Sequence, residues 1–170
     1  MADKQITITK KAVEHYNIRG PHGTWAAITI DADGNAGRIQ IASDYGDWQN
    51  YWGSCGESFK KFLQGLNLDY VAGKFGANKH FDLNATIASL KENMKEYSPD
   101  KKLKGELEEE LNRLLSSYDK EEFVRTMYDC DNIMRMENHC PNMINGIEPG
   151  FLNFWNKMWP AFLEELKSEI

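Results

Sequence analysis

Residues 43–75 read SDYGDWQNYWGSCGESFKKFLQGLNLDYVAGKF, and along them a strand pattern gives way to a helix pattern. Asp47 to Trp52 is aromatic-rich and reads as a strand, with Trp48 and Trp52 on one face, polar Asn50 between them, and Tyr51 on the other. After Gly53, Ser54 and Glu57 stand at capping-box spacing, and Phe59, Phe62, Leu63 and Leu66 recur at helical intervals on one stripe. The expectation is a sheet that ends near Gly53 and a helix that begins there. Asn67 to Gly76, punctuated by Gly73 and Gly76, reads as a short turn that returns Leu68, Tyr70, Val71 and Phe75 to the core.

Upstream the same reading extends to a hairpin. With Asp33 and Gly34 as a two-residue turn, Ile28 pairs with Ile39, Ala26 with Ile41 and Ile30 with Gly37. A slip of one residue would set Ile28 against Gln40, so burial opposes it. A second tight turn at Tyr45 and Gly46 places Trp52 beside Ile39 and Trp48 beside Ser43 on the apolar face, with Tyr51 over Gln40 on the other and Asn50 facing Ile41. An earlier strand around Ile6 to Thr9 adds to the sheet with Ile6 and Ile8 facing inward.

Downstream the pattern is helical. Leu83, Ile87, Leu90, Met94 and Tyr97 form one stripe behind Asp82 as cap, and Leu103, Leu107, Leu111, Leu114 and Tyr118 form the next after Ser98 and Pro99. Asp119 to Glu122 repeats the capping logic before Phe123, Val124, Met127 and Tyr128. Asn138 to Gly150 is a loop, and the chain from Phe151 is a helix that kinks or restarts near Trp159 because of Pro160. The fold expected is α+β: an N-terminal antiparallel β-meander packed against about four to five α-helices. It forms a single domain over 1–170, mainly β in 1–53 and mainly α in 54–170.

With 41% hydrophobic and 12% aromatic residues the chain can build a packed core, and no apolar run approaches the ~20 residues a membrane-spanning helix needs. MADKQITITKK lacks the apolar region of a secretory leader, so the protein is expected to stay in a cytoplasm. Twenty Lys and Arg against 26 Asp and Glu, a net charge of -6, disfavour a phosphate backbone as partner. The charges of Lys101, Lys102, Lys104 and Arg113 interleave with Glu106 and Glu108 to Glu110, which reads as a solvated helix face rather than an imitation of DNA.

The side chains capable of chemistry do not assemble into a catalytic set. Asp31, Asp33 and Asn35 would suit a calcium loop, but Ala36 and Ala42 stand where that loop needs glycine and glutamate. Cys55, in Gly53-Ser54-Cys55-Gly56, could be a thiolate at a helix N-terminus, or the motif is simply cap and turn. Cys130, His139 and Cys140 do not match zinc spacing and lack a fourth ligand, and the three cysteines are expected as free thiols. No cofactor and no metal is expected. Two surfaces are nominated for partner binding, since aromatic and arginine side chains anchor interfaces: the outer sheet face around Trp25, Arg38, Gln40 and Tyr51, and the C-terminal helix with Trp155 and Trp159, where core packing is the competing and favoured reading.

Asp44-Tyr45-Gly46, Trp52-Gly53, Gly56, Phe59, Phe62-Leu63, Asp69-Tyr70 and Lys74-Phe75, with the ending Phe154-Trp155, Trp159-Pro160 and Phe162, resemble a group of uncharacterised accessory proteins encoded by bacteriophages and prophages. The similarity runs through most of the chain from Ile28. It implies the cytoplasm of an infected bacterium as the setting. It further implies a non-enzymatic protein that inhibits or sequesters a component of host anti-phage defence, of the anti-CRISPR or another anti-defence type, with a bacterial host defence protein as partner. The alternative is a binder or hydrolase of a small molecule or nucleotide signal, with Cys55, Arg38, Lys60 and Lys74 around a pocket at the sheet-to-helix junction. A homo-oligomer is compatible with the first reading.

Overall fold

The computed structural model describes residues 6–169. It is α+β, as the patterning predicts. Four strands, β1 (Glu14–Arg19), β2 (Trp25–Asp33), β3 (Ala36–Ser43) and β4 (Gly46–Trp52), form an antiparallel meander in the order β1-β2-β3-β4. Among the described residues eight α-helices follow: α1 (Phe59–Gln64), α2 (Leu68–Phe75), α3 (Leu83–Tyr97), α4 (Lys101–Leu115), α5 (Lys120–Tyr128), α6 (Asp131–Met136), α7 (Pro149–Lys157) and α8 (Trp159–Ser168). A two-strand ladder, β5 (His80–Phe81) with β6 (Asn145–Gly146), and a short 3-10 helix at Pro21–Gly23 between β1 and β2 complete the inventory of the described residues.

The contacts gather into two compact units. One comprises the residues up to Asn78 together with those from Ile147 on, and the other is Lys79–Gly146. In the first, the inner sheet face presents Ala26, Ile28, Ile30, Ile39, Ile41, Trp48 and Trp52 to Phe59 and Leu63 of α1, Val71 and Ala72 of α2, Phe151 and Phe154 of α7, and Phe162 and Leu166 of α8. In the second, α3 to α6 bury Ile87, Leu90, Leu107, Leu111, Leu114, Phe123, Met127 and Ile133 around a separate core.

The hairpin register differs from the expected one by two residues. Asp33 pairs with Ala36, so Gly34 and Asn35 make the turn, and Ile28 faces Ile41, Ile30 faces Ile39 and Ala26 faces Ser43. Gly34 adopts φ 60°, the left-handed value that the first loop position of such a hairpin requires. The β3–β4 pairing moves in the same way: Ser43 pairs with Gly46, Trp48 with Ile41, Trp52 with Gly37, Asn50 with Ile39 and Tyr51 with Arg38. Because side chains alternate with period two, a shift of two keeps every residue on its expected face. Trp48 and Trp52 are accordingly buried.

Other expectations are corrected. Ile6 and Ile8 are exposed outside any strand. The edge strand is Glu14–Arg19, whose Tyr16 and Ile18 reach the core. The helix after Gly53 starts at Phe59 rather than at Ser54. Gly56, at φ 75°, turns the chain so that Cys55 N–H donates to Asn35 O (2.7 Å) and Phe59 N–H to Gly34 O (3.1 Å). Loop and helix start are thereby tied to the hairpin tip, and Ser54 forms no cap. Residues 68–75 are a helix instead of a turn, because Asn67 accepts from Tyr70 N–H (2.9 Å) and Gly76 closes the other end at φ 74°. Tyr97 and Tyr118, expected on the inner stripes, are exposed.

Asp82 and Asp119 cap as expected, accepting from Ala85 and Glu122 N–H at 2.9 and 2.8 Å. The start of α4 moves from Ser98 and Pro99 to Asp100, which accepts from Leu103 N–H (2.8 Å), and α7 begins at Pro149, inside the expected loop and ahead of the expected start at Phe151. The C-terminal helix breaks at Met158, next to Trp159 and Pro160, as proline chemistry requires.

Candidate functional site

Alternation along the meander builds a second sheet face opposite the core. Arg38 and Tyr51 sit directly across from one another on β3 and β4, as do Gln40 and Gln49, whose amides are bonded (3.3 Å). Asp31 on β2 is opposite Arg38 and ion-paired with Lys11. Thr29, opposite Gln40, bonds His15 of β1 (2.8 Å). Arg38, Gln40, Gln49 and Tyr51 are exposed, Tyr51 at 59%. The face is a mixed polar surface of amides, hydroxyls and a few charges around one exposed aromatic.

Trp25 belongs to this face but lies at the far end of β2, opposite Arg19. It is half-buried, and its backbone N–H donates to the Asp44 carboxylate (2.9 Å). Of the four nominated sheet residues, the fold therefore clusters Arg38, Gln40 and Tyr51 and sets Trp25 apart from them.

The nominated pair on the C-terminal helix divides. Trp159 is 2% exposed and stacks on Trp155 (centroids 5.2 Å apart, 15° between planes), packed also against Phe154 and Phe162. Trp155 is half-exposed. Trp159 thus supports Trp155 from the core, and Trp155 carries the accessible surface of the two.

Motif residues between Ser43 and Phe75 have structural tasks. Ser43 Oγ donates to Gly46 O (2.7 Å) and accepts from Tyr45 N–H (3.2 Å), closing the β3–β4 turn. Gly46 sits at φ 142°, where a Cβ would also meet the Trp48 ring. Trp52 Nε1–H donates to the Tyr70 hydroxyl (2.9 Å), and its ring contacts Phe59, Phe62 and Phe75.

The residues of the pocket alternative are occupied in different places. Arg38 is on the outer sheet face, whereas Phe59 of α1 packs beneath Gly37 on the inner one. Lys74 lies over the Tyr70 ring (5.4 Å). Burial, reinforced by Glu57, raises the Cys55 thiol above its ordinary value, the reverse of what an activated nucleophile needs.

Lys60 joins a cluster that the patterning did not signal. Its ammonium lies 2.6 Å from both the Glu14 and Glu169 carboxylates, and Tyr16 OH approaches the same two groups at 2.6 and 2.9 Å. The hydrogen bonds from Lys60 and Tyr16 hold both carboxyls below their usual range, and those to Glu14 and Glu169 raise Lys60. Burial, helped by the two carboxylates, raises Tyr16. Strand β1, helix α1 and the end of α8 are joined through four side chains.

Cys130 is buried, with its thiol 3.9 Å from Glu110 O and pushed up to about 11 by desolvation, whereas Cys140 is exposed. Among the described residues no three His, Cys, Asp or Glu side chains are placed to share a metal ion. Nor, among them, is any helix long and apolar enough to cross a membrane.

Compared with known proteins, residues 6–167 match the model of a family described as a phage family. No curated protein and no solved structure matches the chain.

Proposed function

The chain belongs to this phage family, and from that premise we propose that it is a phage-encoded, non-enzymatic binding protein that inhibits or sequesters a component of bacterial anti-phage defence. Its setting in this reading is the cytoplasm of the infected host, and its partner is a host defence protein. The observation that carries the reading is the outer sheet face. Arg38, Gln40, Gln49 and Tyr51 lie exposed on adjacent strands whose backbones are fixed by the ladder beneath them. Such a rigid, mixed polar surface with an exposed aromatic on its edge strand offers the Arg and Tyr chemistry that concentrates binding energy in interfaces. Trp155 offers a second aromatic contact, backed by buried Trp159.

The test is expression of the protein in bacteria carrying individual defence systems, scored by phage plating, with capture of the bound protein. Arg38→Ala with Tyr51→Ala is expected to abolish counter-defence and partner capture while leaving the circular dichroism spectrum unchanged. Full counter-defence by that variant, and by a variant that also carries Trp155→Ala, would reject both surfaces.

A further inference from the structure

Within Lys79–Gly146 a cavity of about 220 Å³ opens between α5, α6 and the loop after α6. Met127, Met134, Met143, Cys140 and His139 all line it, and no carboxylate does. Two of these side chains are delivered by an unusual piece of backbone. Asn138 and His139 both adopt left-handed conformations, at φ 50° and 58°, without being glycine. The turn is held by His139 N–H to Met134 O (2.6 Å) and Cys140 N–H to Glu137 O (2.9 Å), which folds the His-Cys pair back over the end of α6.

We propose that this cavity binds a soft monovalent metal ion, Cu(I) or its analogue Ag(I), through the thioethers of Met127, Met134 and Met143 and the thiolate of Cys140, with His139 available as a further donor. Thioether and thiolate sulfur select soft ions, whereas the hard ions want the carboxylates and water that this cavity does not offer. Charge decides between monovalent and divalent. One thiolate with neutral thioethers and imidazole cancels a charge of +1, while a divalent ion would leave a net positive charge among apolar walls, which is costly. Binding releases the Cys140 proton to solvent as the sulfur–metal bond forms. Cys130 takes no part, being buried away from the cavity against Glu110 O. This set shares only His139 and Cys140 with the grouping whose spacing does not suit zinc, and cysteine and histidine spacing cannot reveal its methionines.

Methionine also fills gaps in ordinary cores, and the experiment separates the two roles. The reduced full chain is titrated anaerobically with Cu(I) against a chromogenic chelator, with stoichiometry from native mass spectrometry with Ag(I) and ligand type from X-ray absorption. The expected result is one ion per chain in a sulfur-dominated shell. Met134→Leu with Met143→Leu, which conserves volume and apolarity, is expected to weaken retention at least tenfold with an unchanged circular dichroism spectrum. No retention against the chelator overturns the proposal, as does retention that the double variant leaves unaltered. Preference for Zn²⁺ over Cu(I) overturns it as well.

Discussion

Glu110 is the most informative single residue to change. It is 6% exposed on α4, yet it carries a carboxylate. Its Oε1 accepts from Asn132 N–H (3.2 Å) and Asn132 Nδ2 (3.0 Å), and its Oε2 from Ile133 N–H (2.8 Å). These backbone donors are orphan N–H groups of the first turn of α6, so Glu110 caps a neighbouring helix from across the core. Glu110→Ala leaves Ile133 N–H buried without an acceptor and removes an anion from the positive end of α6. An unsatisfied buried donor costs about 1–3 kcal/mol, and the lost charge–dipole term up to about 2 kcal/mol. The sum, roughly 3 kcal/mol, is partly offset because the carboxylate no longer has to be desolvated. Glu110→Gln keeps one acceptor but turns an NH₂ toward a donor, and about 1–2 kcal/mol is expected. Urea unfolding followed by far-ultraviolet circular dichroism measures both, read as midpoint shifts at unchanged slope. A cost below about 0.5 kcal/mol for Glu110→Ala would refute the assignment of Glu110 as the cap of α6.

Gly37→Ala puts a Cβ into the Phe59 ring on the inner sheet face; the overpacking should cost about 1–3 kcal/mol, checked by the thermal midpoint and by Trp fluorescence. Acid should loosen the junction of β1, α1 and α8. Glu14 and Glu169 have folded-state values held below the ordinary 4.5, so their contribution is complete above the unfolded value and fades as pH falls through the depressed ones. The drop in melting temperature from pH 6 to pH 3 should therefore be smaller in a Glu14→Gln, Glu169→Gln variant, and an unchanged drop would count against the linkage. Lys60 and Tyr16 are both raised, so their contribution is complete below their unfolded values and is lost as pH rises beyond them. Lys60→Met should accordingly flatten the decline in stability above pH 10. Replacing residues 79–146 by a short Gly-Ser linker should leave the sheet unit folded with a native near-ultraviolet spectrum, because Glu148 N–H already donates to Ala77 O (2.7 Å) and brings the two ends together; a molten spectrum would show that the chain folds only as one cooperative domain.

The meander and its two faces were legible because burial acts on every strand residue, and a slip of one would have set Ile28 against Gln40 and put Ile39 and Ile41 on the opposite face from it. The absolute register was not. Two registers that differ by two residues bury the same side chains, and only the φ of Gly34 and the closure of the Ser43 turn distinguish them. Asp82 and Asp119 show the same division at helix ends, for a local cap can be read locally. The start of α1 could not, because Phe59 N–H is satisfied by Gly34, which is distant in sequence. The Glu14–Tyr16–Lys60–Glu169 cluster is not legible in the sequence for the same reason: its members come from three elements, and none interrupts an apolar pattern. On the candidate surface, strand alternation was enough to place Arg38, Gln40 and Tyr51 on one face, while the burial of Trp159 depended on how α8 packs.

Glu110 is distinguished from its neighbours by helical position. Within the run Glu108 to Glu110 the three carboxylates look alike by composition, and the run reads as a solvated face. By helical position they differ: Leu107, Leu111 and Leu114 define the inward stripe of α4, and Glu110 stands three residues after Leu107 and four before Leu114, inside that arc. Glu108 and Glu109 fall outside it and are exposed. A carboxylate held inside an apolar stripe needs donors close by. A chain of closely packed short helices supplies such donors chiefly at helix N-termini, where four N–H groups lack intrahelical acceptors. Cys130, which begins α6, provides no side-chain cap. The weak cap at Cys130 and the misplaced acid at Glu110 are thus two halves of one interaction.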